Sequence, residues 1–325
     1  MNQQEVNNQL FKFLVSEING CPDMSFMDFS NQHLDGVEFK NMQLNGLNLS
    51  GASLKSAVFE NVVINGAIFD GANLQGVKFN NAEINGVGYE NLGPSIKMIK
   101  QDDGTIRNAD INFTDVVIKN STFERFNFEN PNFTNVNFTN SVIEYIECES
   151  PIFKDVIFTN TNLESGKFAQ GSFESMSFIN SYVEYCEFDG SIIHNLLIQN
   201  CNIDENKFSK VDVNQYVIEN SGFNCDIKKS KFSEGSIGSS NIRSEDGFKK
   251  SKFNQLSLKN SRFSDIEFYT NEFLDFNVKN SDVNLPDFSS ENNTIKNFDI
   301  SSSSLNDIKL DDESIEGVKF DLVYI

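Results

Sequence analysis

The sequence predicts an all-β solenoid in which four short extended sides close each coil. Three observations support this prediction. Apolar residues recur at every fifth position over most of the chain, a spacing that neither a helix nor a single strand produces. Gly or Asn stands two residues after many of these positions, and Asn recurs at one position about every 20 residues. Five residues therefore make one side and one corner of a coil, and four such sides complete it.

Composition excludes several classes of protein. The chain has 325 residues with 32 Phe and no Trp, and its formal net charge is −21. So much aromatic surface argues against a disordered chain. The net negative charge argues against direct binding to nucleic acid or to an anionic membrane, and no apolar run has the length of a membrane span.

The five-residue pattern runs in long registers. The first extends from Met24 to Tyr89 and the second from Phe113 to Phe223, with no polar residue at any fifth position. Most of the phenylalanines stand at these central positions. Two residues before each centre the first register has mainly Ala and Val, whereas the second often has Ser, Thr or Cys.

The corners have a second signature. Gly36, Gly46 and Gly51 follow their centres by two residues, so this slot is predicted to need a positive φ, as at the third position of a type II turn. The recurrent asparagines are predicted to stack as a ladder of amide hydrogen bonds, a structural role that we favour over ligand binding. They are Asn41, Asn61, Asn81, Asn120, Asn140, Asn160, Asn180, Asn200, Asn220, Asn260 and Asn280.

Residues 72–76 (Ala-Asn-Leu-Gln-Gly) and 52–56 (Ala-Ser-Leu-Lys-Ser) resemble the pentapeptide-repeat family. The resemblance covers about residues 22–325, apart from one interruption. It implies a right-handed quadrilateral parallel β-helix with the central Leu or Phe and the small residue pointing inward. At this repeat length we expect roughly 15 coils in a rod of about 70 Å, with a narrow apolar core and no deep cavity.

Four segments are predicted. An amphipathic N-terminal helix (residues 1–20) would cap the first coil, although a partner-binding or secretion segment is an alternative. A first repeat block (21–89) precedes an inserted loop or hairpin (90–112). A second block (113–325) follows, with register slips near 224–247 and 289–294 that bulges or short loops would explain.

The inserted loop is a candidate partner-binding site, because loops on rigid scaffolds often carry specific contacts. Its basic residues flank an Asp-Gly turn predicted to form a projecting hairpin. The alternative is a tolerated surface insertion. The candidate residues are Lys97, Lys100, Asp102, Asp103 and Arg107.

The far end of the chain is a candidate self-association site. An uncapped last coil would expose strand edges and apolar centres, so end-to-end contact giving a homodimer is one expectation. A short cap formed by the final residues is the other. The candidate residues are Phe320, Leu322, Tyr324 and Ile325.

The sequence offers little chemistry. Its two histidines, His33 and His194, are too far apart to share a site. No His/Cys cluster has zinc spacing, and no phosphate-binding glycine loop is present. We therefore predict no catalytic, cofactor or metal site, and a protein that is not an enzyme. The five cysteines form no CxxC pair and are predicted to be buried free thiols in a reducing compartment.

The favoured function is a non-enzymatic protein-interaction scaffold with an unidentified protein partner, for example a bacterial effector or an assembly subunit. The alternative, implied by the family resemblance, is a DNA-mimicking protein that binds and protects gyrase. Interspersed lysines weigh against it because they interrupt any continuous acidic stripe. We expect a location in the bacterial cytoplasm, since no basic segment of a signal peptide follows Met1. Secretion by a non-classical route is the alternative.

Overall fold

A computed structural model describes most of the chain. The described residues are 24, 26–69, 72–85, 95–97, 108–109, 112–120, 122–124, 127–244, 246–264, 266, 268–284, 293–306, 315–316 and 319–321. They contain strands, turns and bends, and none of them is helical. The chain divides into two compact units, residues 1–162 and 163–325. The predicted capping helix (1–20) lies outside the described residues.

The first unit consists of short strands and eight-residue strands. Its strands are β1 (Glu38–Lys40), β2 (Gln43–Asn45), β3 (Val58–Glu60), β4 (Val63–Asn65), β5 (Lys78–Asn85), β6 (Ser95–Lys97), β7 (Asn108–Ala109), β8 (Asn112–Lys119), β9 (Thr122–Glu124), β10 (Asn127–Glu129), β11 (Asn132–Thr139), β12 (Val142–Glu144), β13 (Glu147–Glu149) and β14 (Ile152–Thr159). The division between the units falls in β15 (Asn162–Glu164).

The second unit continues in the same style. Its strands are β16 (Lys167–Ala169), β17 (Ser172–Ile179), β18 (Tyr182–Glu184), β19 (Glu187–Asp189), β20 (Ile192–Gln199), β21 (Asn202–Ser209), β22 (Asp212–Glu219), β23 (Gly222–Lys228), β24 (Lys231–Gly238), β25 (Asn241–Arg243), β26 (Phe248–Lys249), β27 (Lys252–Lys259), β28 (Arg262–Phe263), β29 (Phe268–Tyr269), β30 (Glu272–Lys279), β31 (Asp282–Asn284), β32 (Thr294–Ser301), β33 (Ser304–Asn306), β34 (Ile315–Glu316) and β35 (Lys319–Asp321).

Each strand pairs in parallel with the strand one coil away, so the predicted parallel solenoid is confirmed. In the first unit β1 pairs with β3 in the register Phe39↔Phe59. In the second unit β20 pairs with β22 in the register Ile193↔Val213. The predicted number of coils is not confirmed.

The core is built from the central residues. Every central residue from Leu34 to Ile300 whose side chain the structure describes is buried. Equivalent phenylalanines stack face to face, with ring centroids 4.7 Å apart for Phe39 and Phe59 and 5.1 Å apart for Phe188 and Phe208. These spacings match the distance between neighbouring strands, so ring stacking and backbone pairing satisfy the same repeat.

The corners have the predicted backbone. In the first block Gly51 has a φ of 66°, and the amide of Ala52 donates to the carbonyl of Leu49 at 3.0 Å. This is the hydrogen bond of a tight turn with Gly at its third position. In the second unit Gln, Lys, Glu and Tyr also adopt positive φ at corners, for example Tyr185 at 55° and Lys229 at 52°. The corner slot is therefore less restricted to Gly and Asn than the first block suggests.

The register slips lie where the sequence places them. β23 is one residue short against β21, with a shift between Ile203 and Asn206. The next coil has one residue more than the usual 20, since Ile227 pairs with Phe248. A later coil has two more than the usual 20, since Phe273 pairs with Ile295. Stacking of the inward residues continues through these slips.

The insertion at 90–112 leaves the core intact. Phe79 pairs with Phe113 across it, and their rings stack at 4.8 Å. Ser95–Lys97 pairs in parallel with Thr122–Glu124. This part of the predicted hairpin is therefore one side of a coil.

Candidate interaction surface

The predicted loop site is described at one residue. Lys97 ends β6 and is the Cα partner of Glu124 in β9. Lys100, Asp102, Asp103 and Arg107 lie outside the described residues, so their grouping stays a prediction.

The predicted self-association end is described only in part. Phe320 lies in β35 and is the Cα partner of Ile300, as expected for a central position. Leu322, Tyr324 and Ile325 lie outside the described residues, and the homodimer stays a prediction.

The asparagine ladder is present in both units. In the first, Asn61 Nδ2 donates to Asn41 Oδ1 at 3.0 Å and Asn81 Nδ2 to Asn61 Oδ1 at 2.7 Å. In the second, Asn200 Nδ2 donates to Asn180 Oδ1 at 3.1 Å. These bonds link successive coils at exposed positions, so the structural role predicted for the asparagines is confirmed. The prediction of a single ladder is wrong, because Ala82 pairs with Val116 across the insertion, which places Asn81 in line with Asp115 and not with Asn120.

Charged side chains on the sides of the coils also pair along the axis. Lys252 Nζ lies 2.8 Å from Glu272 Oε2, and Lys40 Nζ lies 3.2 Å from Glu60 Oε2. Both side chains of each pair are well exposed, so each pair contributes on the order of 0–1 kcal/mol to stability. The outward face is thus a grid of polar side chains held at a fixed coil spacing.

The one-residue deletion after Phe223 coincides with a recess in the second unit. The cavity has a volume of about 260 Å³ and lies beneath the half-exposed ring of Tyr185. Carboxylates surround this ring, and Glu205, followed by burial and other nearby acids, raises the pKa of the Tyr185 phenol. The remaining lining residues are Glu187, Glu205, Lys207, Asn224, Asp226 and Asp246. The sequence shows the deletion but not the concavity at it.

Sequence reasoning also missed an alignment of lysines. Lys228 of β23 is the Cα partner of Lys249 of β26, and Lys231 of β24 is the Cα partner of Lys252 of β27. Aligning the sequence around Ile227 with the sequence around Phe248 would have revealed this pairing of lysines.

Four cysteines are described, and all are buried free thiols, as predicted: Cys148, Cys186, Cys201 and Cys225. Burial raises the pKa of each, and that of Cys186 reaches about 12. Such thiols stay protonated at neutral pH and are poor nucleophiles. Cys21 lies outside the described residues.

His33 and His194 are exposed and lie in different units. Within the described part of the chain, no group of three or more His, Cys, Asp or Glu side chains is placed to hold a metal ion. The same residues contain no helix with the length and apolar character needed to cross a membrane.

The fold and surface together define a parallel β-solenoid protein with a five-residue repeat. Residues 23–61 and 57–87 match the family model described as pentapeptide repeats, in eight copies. The family resemblance is therefore confirmed, and residues 23–87 carry pentapeptide repeats. Among curated proteins no sequence matches it.

Several solved structures resemble the chain. HetL, a pentapeptide repeat protein involved in heterocyst differentiation regulation in the cyanobacterium Nostoc sp. strain PCC 7120, is 9% identical with a TM-score of 0.35, covering 77% of this chain and 92% of its own. A pentapeptide repeat protein of the Arabidopsis thaliana thylakoid lumen is 24% identical with a TM-score of 0.22, covering 41% and 66%. The Streptococcus pneumoniae surface protein and adhesin PfbA is 10% identical with a TM-score of 0.37, covering 99% and 94%. At these scores the likenesses carry no functional argument.

Proposed function

We propose that this protein is a non-enzymatic scaffold that binds another protein through the outward face of its coils. The observation that supports this most is the fixed grid of outward side chains, held in axial columns by bonds such as Asn61–Asn41 and Asn200–Asn180. A surface whose geometry is set before binding loses little conformational entropy on association. Pentapeptide-repeat proteins are generally structural or binding scaffolds, which agrees with this proposal.

The scaffold is tested by cross-linking and capture with the folded full-length chain. The control is the same chain unfolded in urea and immobilised at equal density. We expect a defined protein to be captured by the folded chain only. Equal capture by both forms, or capture by neither, contradicts the proposal.

The part of the scaffold proposed to contact the partner is the inserted loop. Its residues Lys97, Lys100 and Arg107 are basic on a chain of net charge −21, so they differ in charge from most of the surface. Substituting Lys100 and Arg107 by Gln, which leaves the coil side at residues 95–97 in place, is expected to weaken capture, and undiminished capture would remove the loop as the contact. The C-terminal residues Phe320 and Tyr324 are proposed to mediate homodimer formation. Tyr324→Glu is expected to convert a sedimenting dimer to a monomer.

The DNA-mimic alternative gains no support from the described surface. A mimic needs a continuous acidic stripe, and in the second unit lysines occupy successive coils at Lys228 and Lys249. Gyrase supercoiling assays with purified protein separate the two functions. A dose-dependent effect that weakens with salt would favour the mimic over the scaffold.

We also propose a reducing, cytoplasmic location. The support is that four free thiols are buried without disulfide bonds, as is usual for chains that fold in the cytosol.

A further inference from the structure

The tetrapeptide Lys-Lys-Ser-Lys occurs twice in the chain, at residues 228–231 and 249–252. The two copies stack on successive coils. Lys228 and Lys249 are Cα partners, Lys231 and Lys252 are Cα partners, and the amide of Lys229 donates to the carbonyl of Lys249 at 2.8 Å. We name this surface the lysine patch. It consists of Lys228, Lys229, Lys231, Lys249, Lys250 and Lys252.

The local fold turns these lysines outward. Ser230 and Ser251 are buried beneath the corner, and the amide of Ser230 donates to Ser251 Oγ at 3.2 Å. The preceding residues Lys229 and Lys250 adopt φ values of 52° and 54°. With each serine facing the core, its flanking lysines face solvent. All the patch lysines are exposed except Lys249, which is half-buried.

Carboxylates neutralise only the edge of the patch. Lys231 Nζ lies 3.8 Å from Asp212 Oδ1, and Lys252 Nζ lies 2.8 Å from Glu272 Oε2. Lys249 Nζ lies over the Tyr269 ring, 5.4 Å from its centroid.

The centre of the patch has no such partners. Among the described residues no carboxylate forms an ion pair with Lys228, Lys229 or Lys250. Asp226 lies on the same strand as Lys228, but its Oδ1 accepts hydrogen bonds from Ser244 Oγ and from the amide of Asp246, both at 2.8 Å.

This arrangement is costly for the isolated protein. Two like charges about 5 Å apart at a wet surface repel each other by on the order of 1 kcal/mol. A chain of net charge −21 has ample carboxylates with which to relieve that repulsion, yet none of those that the structure describes forms an ion pair with the three lysines at the centre of the patch. An anionic ligand would relieve it instead.

We propose that the lysine patch binds a short acidic segment, rich in Asp and Glu, of a protein partner. This inference rests on the scaffold function proposed above and names the chemistry of the partner. The anion is a protein segment for two reasons. Lysine is a flexible point charge without the fork that arginine offers to a phosphate, so it suits scattered carboxylates. In the column of Lys231 and Lys252 the patch also ends at Asp212 on one side and Glu272 on the other.

The size of the patch agrees with this occupant. With coils about 4.8 Å apart, two stacked tetrapeptides and their side chains cover on the order of 10 Å along the axis. An extended segment advances about 3.3 Å per residue, so three or four residues fill the patch. A nucleic acid or a membrane would continue past it and meet the flanking carboxylates.

The test measures binding of a fluorescein-labelled four-residue peptide of alternating Asp and Glu to the full-length protein, by anisotropy at low salt. The matching peptide of Asn and Gln is the ligand control. The patch variant carries four substitutions to Gln, at Lys228, Lys229, Lys249 and Lys250. The control variant carries four substitutions to Gln at exposed lysines elsewhere, at Lys55, Lys78, Lys259 and Lys279.

Both variants have the same net charge, and the patch variant should fold, since Gln170 already adopts a φ of 54° at a corner. We expect the patch variant to bind the acidic peptide at least tenfold more weakly, the control variant to stay within twofold of the parent, and both to keep the parent's melting profile. No binding by the parent, or equal loss in both variants, overturns the proposal. So does tighter binding of inorganic tripolyphosphate than of the peptide, or patch-dependent sedimentation with phosphatidylserine vesicles.

The result is separable from the scaffold proposal. If a protein is captured equally by the parent and the patch variant, the patch is wrong and the scaffold stands. If the acidic peptide binds through the patch and the folded chain captures no protein, the patch stands and the scaffold is wrong.

Discussion

Some corners of residues 26–85 and some of the second unit use different hydrogen bonds for the amide of the residue two before the centre. At several corners of the first block this amide closes a local turn, as in Ala57 to the carbonyl of Leu54 at 2.9 Å and Val77 to that of Leu74 at 3.1 Å. At several corners of the second unit it donates to a buried side chain one coil away, as in Ser221 to Ser240 Oγ at 3.1 Å and Ser240 to Ser261 Oγ at 3.2 Å.

The difference explains why Ser recurs in some inward slots of the second unit. A locally closed corner leaves its inward slot free for Ala or Val, whereas at these open corners the slot one coil away holds an acceptor. Ser supplies it and returns its own proton to a carbonyl, as Ser240 Oγ does to Gly238 at 2.7 Å. These polar core residues therefore link one coil to the next, because a buried amide left without a partner costs on the order of 1–3 kcal/mol.

The largest effect is expected at Asn206, which is fully buried. Its Oδ1 accepts from the amide of Cys186 and its Nδ2 donates to the carbonyl of Val183, both at 2.7 Å. Asn206→Leu should cost about 4 kcal/mol, since two buried groups lose their partners. Urea unfolding of the full-length protein measures it. Asn206→Ser should cost less, because its hydroxyl can accept from the amide of Cys186 as Ser261 Oγ accepts from that of Ser240, and equal costs would contradict the coupling.

A slightly smaller effect is expected at Gly235. A Cβ at this position would overlap the buried ring of Tyr216, one coil below, so Gly235→Ala should cost about 3 kcal/mol. The double variant with Tyr216→Leu should recover most of that loss in the same urea measurement. If the two costs simply add, the inward residues of successive coils are independent of each other.

Ser240→Ala should cost about 1.5 kcal/mol, because the amide of Ser221 loses its acceptor. The comparison in the first block is Ala57→Ser, which should cost less, because it removes no acceptor and its hydroxyl can donate to the carbonyl two residues before it, as Ser240 Oγ does to Gly238. Thermal unfolding of both variants compares the regions directly. Similar shifts would show that the two kinds of corner do not differ energetically.

The smallest effect concerns the asparagine ladder of the first block. Asn61 has a φ of 54°, so Asn61→Ala should be less stable than Asn61→Gly by about 1 kcal/mol, since only Gly adopts this backbone freely. The measurement is again the midpoint of unfolding. An Ala variant as stable as the Gly variant would remove backbone strain as the reason for Asn at this corner.

Much of the fold was predictable because one residue in five decides it. The central residues, the positive φ of the corners, the asparagine ladder and the slips all follow from periodicity, which reports what points inward. Periodicity does not report hydrogen-bond partners. Ala52 and Ser221 each lie two residues before a centre. Nothing in the pattern says that the amide of Ala52 bonds within its turn and that of Ser221 along the axis.

The surface was less predictable because outward residues are free of the repeat. Ile96 and Lys97 were predicted to belong to a projecting hairpin, yet they pair in parallel with Phe123 and Glu124. The recess at Tyr185 lies beside the coil that is one residue short, and the sequence shows only the missing residue. The two lysine tetrapeptides could have been aligned through their centres. Only the structure shows which of these lysines form no ion pair with a described carboxylate.

Amide hydrogen exchange tests the central claim most directly. In Ser240→Ala, exchange at the amide of Ser221 should accelerate at least tenfold, because its acceptor lies one coil away. Exchange at the Ala52 amide in the first block should not change, because that amide bonds to Leu49 within its own turn. Unchanged exchange at Ser221 would contradict axial coupling of the corners in the second unit.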